Sequence, residues 1–237
     1  MVVLSILLGI VLFLTVDLIV QRWVLAQARR TAARRAPSPV VGPSAGPITD
    51  RLTEVPSAVS LAPGHAWLQA EADGHWRIGA DALLATLLGA PDFVELAPPG
   101  TWVEPQDALA TLRHGTRVLT VYSPVRGRVI DSNLQVGDDP PRLLRDPYGE
   151  GWLSRLAVAT PNGVAELHTG MAGRTWMAAE VRRLRDKLAE LAGRGPVGAV
   201  AFDGGPPAPD FASRLDDDTW HELVASFVGP SQTGGRP

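Results

Sequence analysis

Residues 59 to 192 contain a series of short β-prone segments separated by turns, and this pattern restricts the chain to a few architectures. Asp73 and Gly74 precede the first segment, and an Asp-Gly pair is a strong β-hairpin signal. Regular glycine and proline residues between short strands are typical of a small sandwich or barrel. The sequence therefore predicts a mainly β domain with strands at residues 75–78, 93–96, 108–112, 118–122 and 128–131.

Three amphipathic segments predict helices that flank this β domain, so the predicted class is α+β. The first covers residues 81–88, with Asp81 as a possible N-cap and Gly89 as the stop. The second covers residues 175–192, and the third, rich in acidic residues at its start, covers residues 218–228 with Asp218 as N-cap. The apolar faces consist of Val181, Leu184, Leu188 and Leu191 in the second helix and of Trp220, Leu223, Val224 and Phe227 in the third.

The N-terminal segment is apolar enough to predict one transmembrane helix. Residues 2–16 carry no charge, and after Asp17 the apolar run continues to residue 20. A span of about 19 residues just crosses a hydrocarbon core of roughly 30 Å. Arginines follow the span and none precedes it, which predicts a single-pass protein of the cytoplasmic membrane with its soluble domain on the cytoplasmic side. A cleaved signal peptide, with residues 26–28 as the cleavage site, is the alternative.

The remaining sequence divides into three parts by composition. Residues 22–58 begin with basic residues and continue as a proline-rich linker, and residues 1–21 form the predicted anchor. Residues 59–192 form the folded domain. Residues 193–237 form a glycine- and proline-rich extension that contains the last predicted helix.

The chain has no cysteine and 22 basic residues, of which only Lys187 is a lysine. The absence of cysteine excludes disulfides, iron–sulfur clusters, cysteine-ligated zinc and a thiol nucleophile. A mechanism that requires a side-chain amine depends entirely on residue 187. The formal net charge of −3, with no basic face extending through the domain, argues against a nucleic-acid partner.

Six motifs in the folded domain are distinctive when taken together. They are His65-Ala66-Trp67, residues 78–81, residues 88–96, residues 100–103, residues 122–127 and the run Asp146-Pro147-Tyr148-Gly149-Glu150-Gly151-Trp152-Leu153. In order and spacing, these motifs resemble the glycine cleavage system H protein family. The resemblance implies a lipoyl-domain-like fold, the barrel-sandwich hybrid, with a C-terminal helix. It also implies a carrier in which a lipoylated lysine on a hairpin tip moves an aminomethyl group between partner enzymes.

The position that corresponds to the family's lipoyl lysine holds Thr116. In the family, this lysine lies six residues before the tyrosine of a Y-[SA]-P-V motif, and here that tyrosine is Tyr122. A hydroxyl does not form the lipoyl amide, and the neighbouring Arg117 keeps its guanidinium protonated. Lys187 is distant from the hairpin in sequence. We therefore expect a degenerate lipoyl-attachment position and no cofactor.

Basic residues surround the degenerate position and predict a docking tip. Arg113, His114 and Arg117 could bind an acidic protein surface through bidentate carboxylate contacts, or could form an ordinary solvated hairpin. The run from Asp146 to Trp152 predicts structure rather than catalysis. In it, Asp146-Pro147 starts a turn, the two glycines allow positive φ and Trp152 supplies buried area.

The sequence contains no recognisable catalytic arrangement of residues, so it predicts a protein that is not an enzyme. Asp217 and His221 are spaced to share a helix face, but helix capping explains the acidic cluster, and no metal site is predicted. The expected function is a membrane-tethered, non-catalytic H-protein-like module, a docking or scaffold subunit with a protein partner, no small-molecule substrate and contact to the membrane through residues 2–20. The alternative is a carrier of an aminomethyl group of the H-protein type, or a related lipoyl carrier.

Overall fold

The computed structural model describes residues 52–159, 167–192 and 211–228. The predicted membrane anchor, the basic segment that follows it and nearly all of the linker lie outside these ranges. Within them, no helix combines the length and the apolar character that a membrane span requires.

Ten β-strands form two antiparallel sheets, which confirms the mainly β prediction. Sheet A has seven strands in the order β10-β1-β2-β3-β9-β8-β5, and sheet B has three in the order β4-β6-β7. The strands are β1 (Ser60–Leu61), β2 (Ala66–Ala70), β3 (Trp76–Ala80), β4 (Phe93–Leu96), β5 (Trp102–Val103), β6 (Ala108–His114), β7 (Arg117–Tyr122), β8 (Gly127–Ser132), β9 (Trp152–Val158) and β10 (His168–Thr169).

Five α-helices flank the sheets in the described part of the chain. They are α1 (Ala82–Leu88), α2 (Leu134–Asp138), α3 (Arg142–Arg145), α4 (Gly170–Ala192) and α5 (Asp217–Val228), and a 3₁₀ turn, Phe211–Arg214, precedes α5. Asp81 caps α1 as predicted, because its carboxylate accepts a hydrogen bond from the Leu84 amide. The cap of α5 was predicted wrongly. Asp216, not Asp218, accepts the Thr219 amide at 2.8 Å, since the helix begins one residue earlier.

The core consists of two clusters of buried side chains. The smaller cluster contains Leu109 of sheet B and Leu68, Ile78, Val129 and Leu156 of sheet A. The larger one joins sheet A and the inner face of sheet B to α1, α4 and α5. Because side chains alternate along a strand, Trp67 and Leu68 enter different clusters, and β2 is buried on both faces.

Trp67 links sheet A to the loop that precedes β9. Its indole N–H lies 3.0 Å from the carbonyl oxygens of both Ala80 and Pro147. Gly79 makes this position possible, since a Cβ there would lie 2.6 Å from the indole ring. Tyr148 packs beside the indole with ring centroids 6.1 Å apart. The side chain of one fully buried tryptophan therefore holds the loop against the sheet.

The loop from Asp146 to Gly151 closes on itself through the Asp146 carboxylate. This carboxylate accepts the amides of Gly149 and Glu150 at 3.1 and 2.8 Å, and the Asp146 carbonyl accepts the Gly151 amide at 2.8 Å. The predicted reason for the glycines was wrong, because neither adopts a positive φ. They are required because a Cβ on either would collide with Asp146.

His65 is fully buried and joins β2, α1, α4 and α5. Its Nδ1 lies 2.7 Å from Asp81 Oδ2 and its Nε2 lies 3.6 Å from Glu180 Oε2, and its ring contacts Trp176 and Phe227. Burial alone would lower the pKa of His65. The Asp81 carboxylate, with a smaller contribution from Glu180, instead raises this pKa to about 9.

Replacing Gly151 tests the close packing of the loop. A Cβ would lie 2.6 Å from the Asp146 carbonyl oxygen and 3.1 Å from Leu143 Cα. We expect Gly151→Ala to lower the free energy of unfolding by about 1–3 kcal/mol, measured by urea denaturation. Gly137→Ala is the matched control, since open space surrounds that helical glycine, and it should be neutral or stabilising by up to about 1 kcal/mol. Equal effects of the two substitutions would contradict the packing argument.

The raised pKa of His65 predicts a pH-dependent stability. The folded protein retains this proton above the ordinary pKa of 6.5, so the stabilisation is complete below that pH. It is lost as the pH rises through about 9, with a loss on the order of 3 kcal/mol. Urea unfolding measured across this range should show the decline. In His65→Gln the decline should be absent, and an unchanged slope in that variant would contradict the assignment.

Candidate functional site

The candidate site is the turn of the hairpin formed by β6 and β7. His114 pairs with Arg117, so Gly115 and Thr116 form a two-residue turn. Gly115 has φ of +60°, the left-handed conformation that tight hairpin turns require and that glycine adopts at little cost. Thr116, which the sequence analysis predicted to be a degenerate lipoyl-attachment position, is therefore an exposed residue of the turn itself.

The N-terminal side of the turn is held by residues that precede β4. His114 Nδ1 donates to the Ala90 carbonyl at 2.6 Å, and the Gly115 amide donates to Asp92 Oδ2 at 2.9 Å. Arg113 is exposed, and its guanidinium carbon lies 5.7 Å from the centroid of the Phe93 ring. Arg113 therefore lies on the solvent side of the hairpin, whereas half-buried His114 lies on the face of its cross-strand partner Arg117, and each of the two has a local partner.

Arg117, the third predicted docking residue, is buried. Its guanidinium donates to the carbonyls of Ala212 and Leu215 and lies 3.4 Å, through Nε, from Asp217 Oδ1. It also stacks on Trp220, with 5.3 Å between Cζ and the ring centroid. All of these partners belong to the segment 211–220, so the C-terminal extension covers one side of the hairpin tip.

Thr116 contacts the same segment. Its Oγ1 donates to Asp217 Oδ2 at 3.2 Å. The Asp217 carboxylate thus receives hydrogen bonds from Thr116 and Arg117 through its two oxygens. The position at which the family resemblance implies a lipoylated lysine is engaged by an acidic residue of this chain.

Helix α5 is attached to the domain by contacts beyond the hairpin. The Trp220 indole N–H donates to the Leu87 carbonyl at 2.8 Å. Arg183 donates to the Ser226 carbonyl and stacks on Phe227, and Lys187 Nζ lies 2.7 Å from Glu222 Oε1. These contacts join α5 to both α1 and α4.

Sequence reasoning missed the contact between Arg117 and the C-terminal segment, although one signal for it was present. In β7 the buried residues are Arg117, Leu119 and Val121, and the alternation of a strand places them on one face. An arginine on a buried face requires hydrogen-bond partners, because an unpaired buried charge is very costly. The alternation therefore indicated that Arg117 needs carbonyl or carboxylate acceptors from another segment, but it did not indicate which segment supplies them.

The hairpin residues do not fit a covalently attached lipoyl group. The turn consists of Gly115 and Thr116, and neither offers a primary amine. Lys187, the one lysine of the chain, lies on α4, where its ammonium is also 3.2 Å from Glu190 Oε2. Hydrogen bonding to Glu222 and Glu190 raises the pKa of Lys187 and favours its charged, non-nucleophilic form.

The acidic cluster at the start of α5 is used for capping and for the hairpin contact. Asp216 accepts both the amide and the hydroxyl of Thr219, and His221 Nδ1 donates to the Asp217 carbonyl. Among the residues that the structure describes, no group of three or more His, Cys, Asp or Glu side chains is arranged to hold a metal ion.

Comparison with known proteins identifies relatives of one kind. The family model described as "Glycine cleavage H-protein" matches residues 60–179. The glycine cleavage system H protein of Halorhodospira halophila is 32% identical over 108 residues, which cover 46% of this chain and 83% of that protein. The H protein of Cronobacter sakazakii is 31% identical over 116 residues, covering 49% of this chain and 90% of its own length. A crystal structure of an H protein from Mycobacterium marinum aligns with a TM-score of 0.46 and 27% identity, over 52% of this chain and 98% of that chain.

These relatives correct the function predicted from the sequence. A non-catalytic docking or scaffold module was expected because Thr116 replaces the lysine. The matched proteins are named as glycine cleavage system H proteins, and the family model carries the same description. The main prediction is therefore wrong, and the alternative, a carrier of the H-protein type, is favoured.

The length of the family-model match shows that the chain is a member of the family. The matched residues include the first strand, the hairpin and the first part of α4, and the match ends before the C-terminal segment that covers Arg117. The family model spans half of the chain, and the two relatives are matched over most of their own length. The chain belongs to the glycine cleavage H-protein family.

Proposed function

We propose that the chain acts as an H-protein-type carrier, which passes an aminomethyl group between the enzymes of a glycine cleavage system or serves a related lipoyl-dependent system. The observation that carries this proposal is the family match over residues 60–179. The carrier itself catalyses no step, and its partners are the enzymes that load and unload it.

The hairpin supports the proposal by its position in the fold. The turn at Gly115 and Thr116 closes the hairpin of β6 and β7, whose pairing extends from His114–Arg117 to Ala108–Tyr122 with one irregularity between Ala108 and Ala110. Asp92 and Ala90 hold one side of the turn through hydrogen bonds. A carrier needs its tip at a constant position relative to the body, since the partner enzymes recognise the two together.

The identity of residue 116 makes this chain a lysine-lacking variant at the hairpin. Since the turn has no amine, the proposal derives no step through a group attached there. Lys187 is the only side chain of the protein that could form a lipoyl amide. Its ion pairs with Glu222 and Glu190 would have to open before its amine could react.

Mass spectrometry of the intact protein tests the carrier function. The full chain is purified from lipoate-replete cells and then incubated with glycine labelled with ¹³C at C2, the carbon that is kept when the carboxyl carbon leaves as CO₂, and with the partner enzymes of a glycine cleavage system. Carrier function predicts a lipoyl mass on the peptide that contains Lys187, and on it a further aminomethyl group whose mass increases with the isotope label.

Lys187→Arg is the matched control for this experiment. Arginine keeps the positive charge between Glu222 and Glu190 but has no nucleophilic amine. The added mass should be absent in this variant while the unfolding midpoint stays close to that of the wild type. A wild-type chain without any added mass would contradict the proposed carrier function.

We also propose that residues 2–20 attach the carrier to the cytoplasmic membrane, with the domain on the cytoplasmic side. The support is the uncharged run of residues 2–16 and the arginines that follow it. The full chain should sediment with membranes and stay there in high salt or carbonate, and detergent should release it. A deletion of residues 2–20 should move it to the supernatant. Release of the full chain by salt alone would contradict the anchor.

A further inference from the structure

Lys187 lies where helix α5 packs on helix α4, and its ammonium is held by one carboxylate from each helix. Nζ lies 2.7 Å from Glu222 Oε1 on α5 and 3.2 Å from Glu190 Oε2 on α4. The lysine side chain is 19% exposed, whereas the side chains of Glu222 and Glu190 are 44% and 46% exposed. The ammonium is therefore the enclosed member of the group, and the two carboxylates separate it from water.

Acylation of Lys187 requires the amine to leave this ion pair. Only a neutral amine attacks the carbonyl carbon of an activated carboxylic acid, such as an acyl adenylate or a thioester. The reaction forms the amide C–N bond, breaks the bond to the adenylate or thiolate leaving group and releases two protons of the ammonium to water. Hydrogen bonding to Glu222, and to a smaller extent to Glu190, raises the pKa of Lys187. The contact with α5 therefore lowers the fraction of amine that can react.

Release of the amine does not require α5 to leave the domain. Leu223 and Phe227 are buried in the core, and Arg183 donates to the Ser226 carbonyl at 3.1 Å. Glu222 lies on the exposed side of the helix, so rotation of its side chain into water frees the amine on this side. We therefore expect α5 to slow the acylation of the lysine without preventing it.

The dependence also acts in the opposite direction, from the lysine to the helix. An acylated lysine carries no positive charge, and its amide offers one N–H donor where the ammonium offers three. Acylation therefore removes the attraction that Glu222 provides between α5 and α4. The contacts of Arg183 with Ser226 and Phe227 still join the two helices. Coupling between two such events is reciprocal by thermodynamic necessity.

We propose that helix α5 restrains the acylation of Lys187 through Glu222, and that acylation of Lys187 in turn weakens the packing of α5 on α4. The inference rests on the proposed carrier function only for the identity of the natural acyl group. The ion pair predicts the same coupling for any activated acyl group, so an acetylating reagent tests it without glycine or a partner enzyme.

The rate of chemical acetylation measures the restraint. The full chain is treated with the N-hydroxysuccinimide ester of acetic acid, and acetylation of the peptide that contains Lys187 is followed by mass spectrometry. Because Lys187 is the only lysine of the chain, no other lysine contributes to this signal. A synthetic peptide of residues 182–192 with a blocked N-terminus is the reference without α5. Lys187 should react roughly three- to tenfold more slowly in the chain than in this peptide.

Glu222→Gln and Asp186→Asn form a matched pair for this measurement. Both substitutions neutralise one carboxylate near Lys187, but only Glu222 belongs to α5. Asp186 is an exposed residue of α4 that precedes Lys187 in the sequence, and adjacent residues of a helix do not face each other. Glu222→Gln should raise the acetylation rate of Lys187 roughly three- to tenfold. Asp186→Asn should change this rate by less than about twofold.

Hydrogen exchange measures the effect of the lysine on the helix. The amides of α5 should exchange roughly three- to tenfold faster in Lys187→Gln, which loses the charge as acylation does, than in Lys187→Arg, which keeps it. Three results would overturn the proposal: wild-type Lys187 reacting as fast as the peptide, equal effects of the two carboxylate variants, or equal exchange of α5 in the two lysine variants. A chain that gains no lipoyl mass in cells would leave these results unaffected, so the two proposals fail separately.

Discussion

The hydrogen bonds of the Trp67 indole connect the parts of this fold that the family motifs encode. One N–H lies between the carbonyls of Ala80 and Pro147, and the ring occupies the space left by the missing side chain of Gly79. The first contact ties β2 to the end of β3, and the second ties the loop before β9 to β2. Burial of the whole indole makes this junction one of the largest apolar contributions to the core.

This junction is connected to the hairpin and to the C-terminal segment through α1. The ion pair of His65 and Asp81 lies at the start of α1, and the other end of that helix offers the Leu87 carbonyl to Trp220. Trp220 in turn forms the surface on which Arg117 stacks. The family framework therefore reaches the hairpin tip through α1 and α5. We expect a substitution at the Trp67 junction to alter the packing around Arg117, although the two residues are far apart in sequence.

The sequence predicted the family, strands β3, β4, β6, β7 and β8, and helices α1, α4 and α5, because turn residues and strand alternation are visible in the sequence itself. It did not predict the remaining strands or the short helices α2 and α3. It located the hairpin and Thr116 by counting from Tyr122. It did not predict that Arg117 is covered by residues 211–220, since the contact joins positions about a hundred residues apart and depends on how α5 packs. The function inferred from Thr116 alone was also wrong, because the relatives matched over the whole domain are named glycine cleavage system H proteins. The glycines of the loop before β9 show the same limit. The sequence predicted that glycine is required at these two positions. The cause, which is the close approach of Asp146, could be seen only in the structure.

The hairpin tip of this H-protein family member is engaged by its own C-terminal segment. Nuclear Overhauser effects between the Trp220 indole protons and the Arg117 side chain are the test of this contact. With the guanidinium carbon 5.3 Å from the ring centroid, the full chain should show these cross-peaks, together with slow hydrogen exchange of the Trp220 indole N–H. Absence of the cross-peaks, with an indole N–H that exchanges as fast as an exposed one, would contradict the claim.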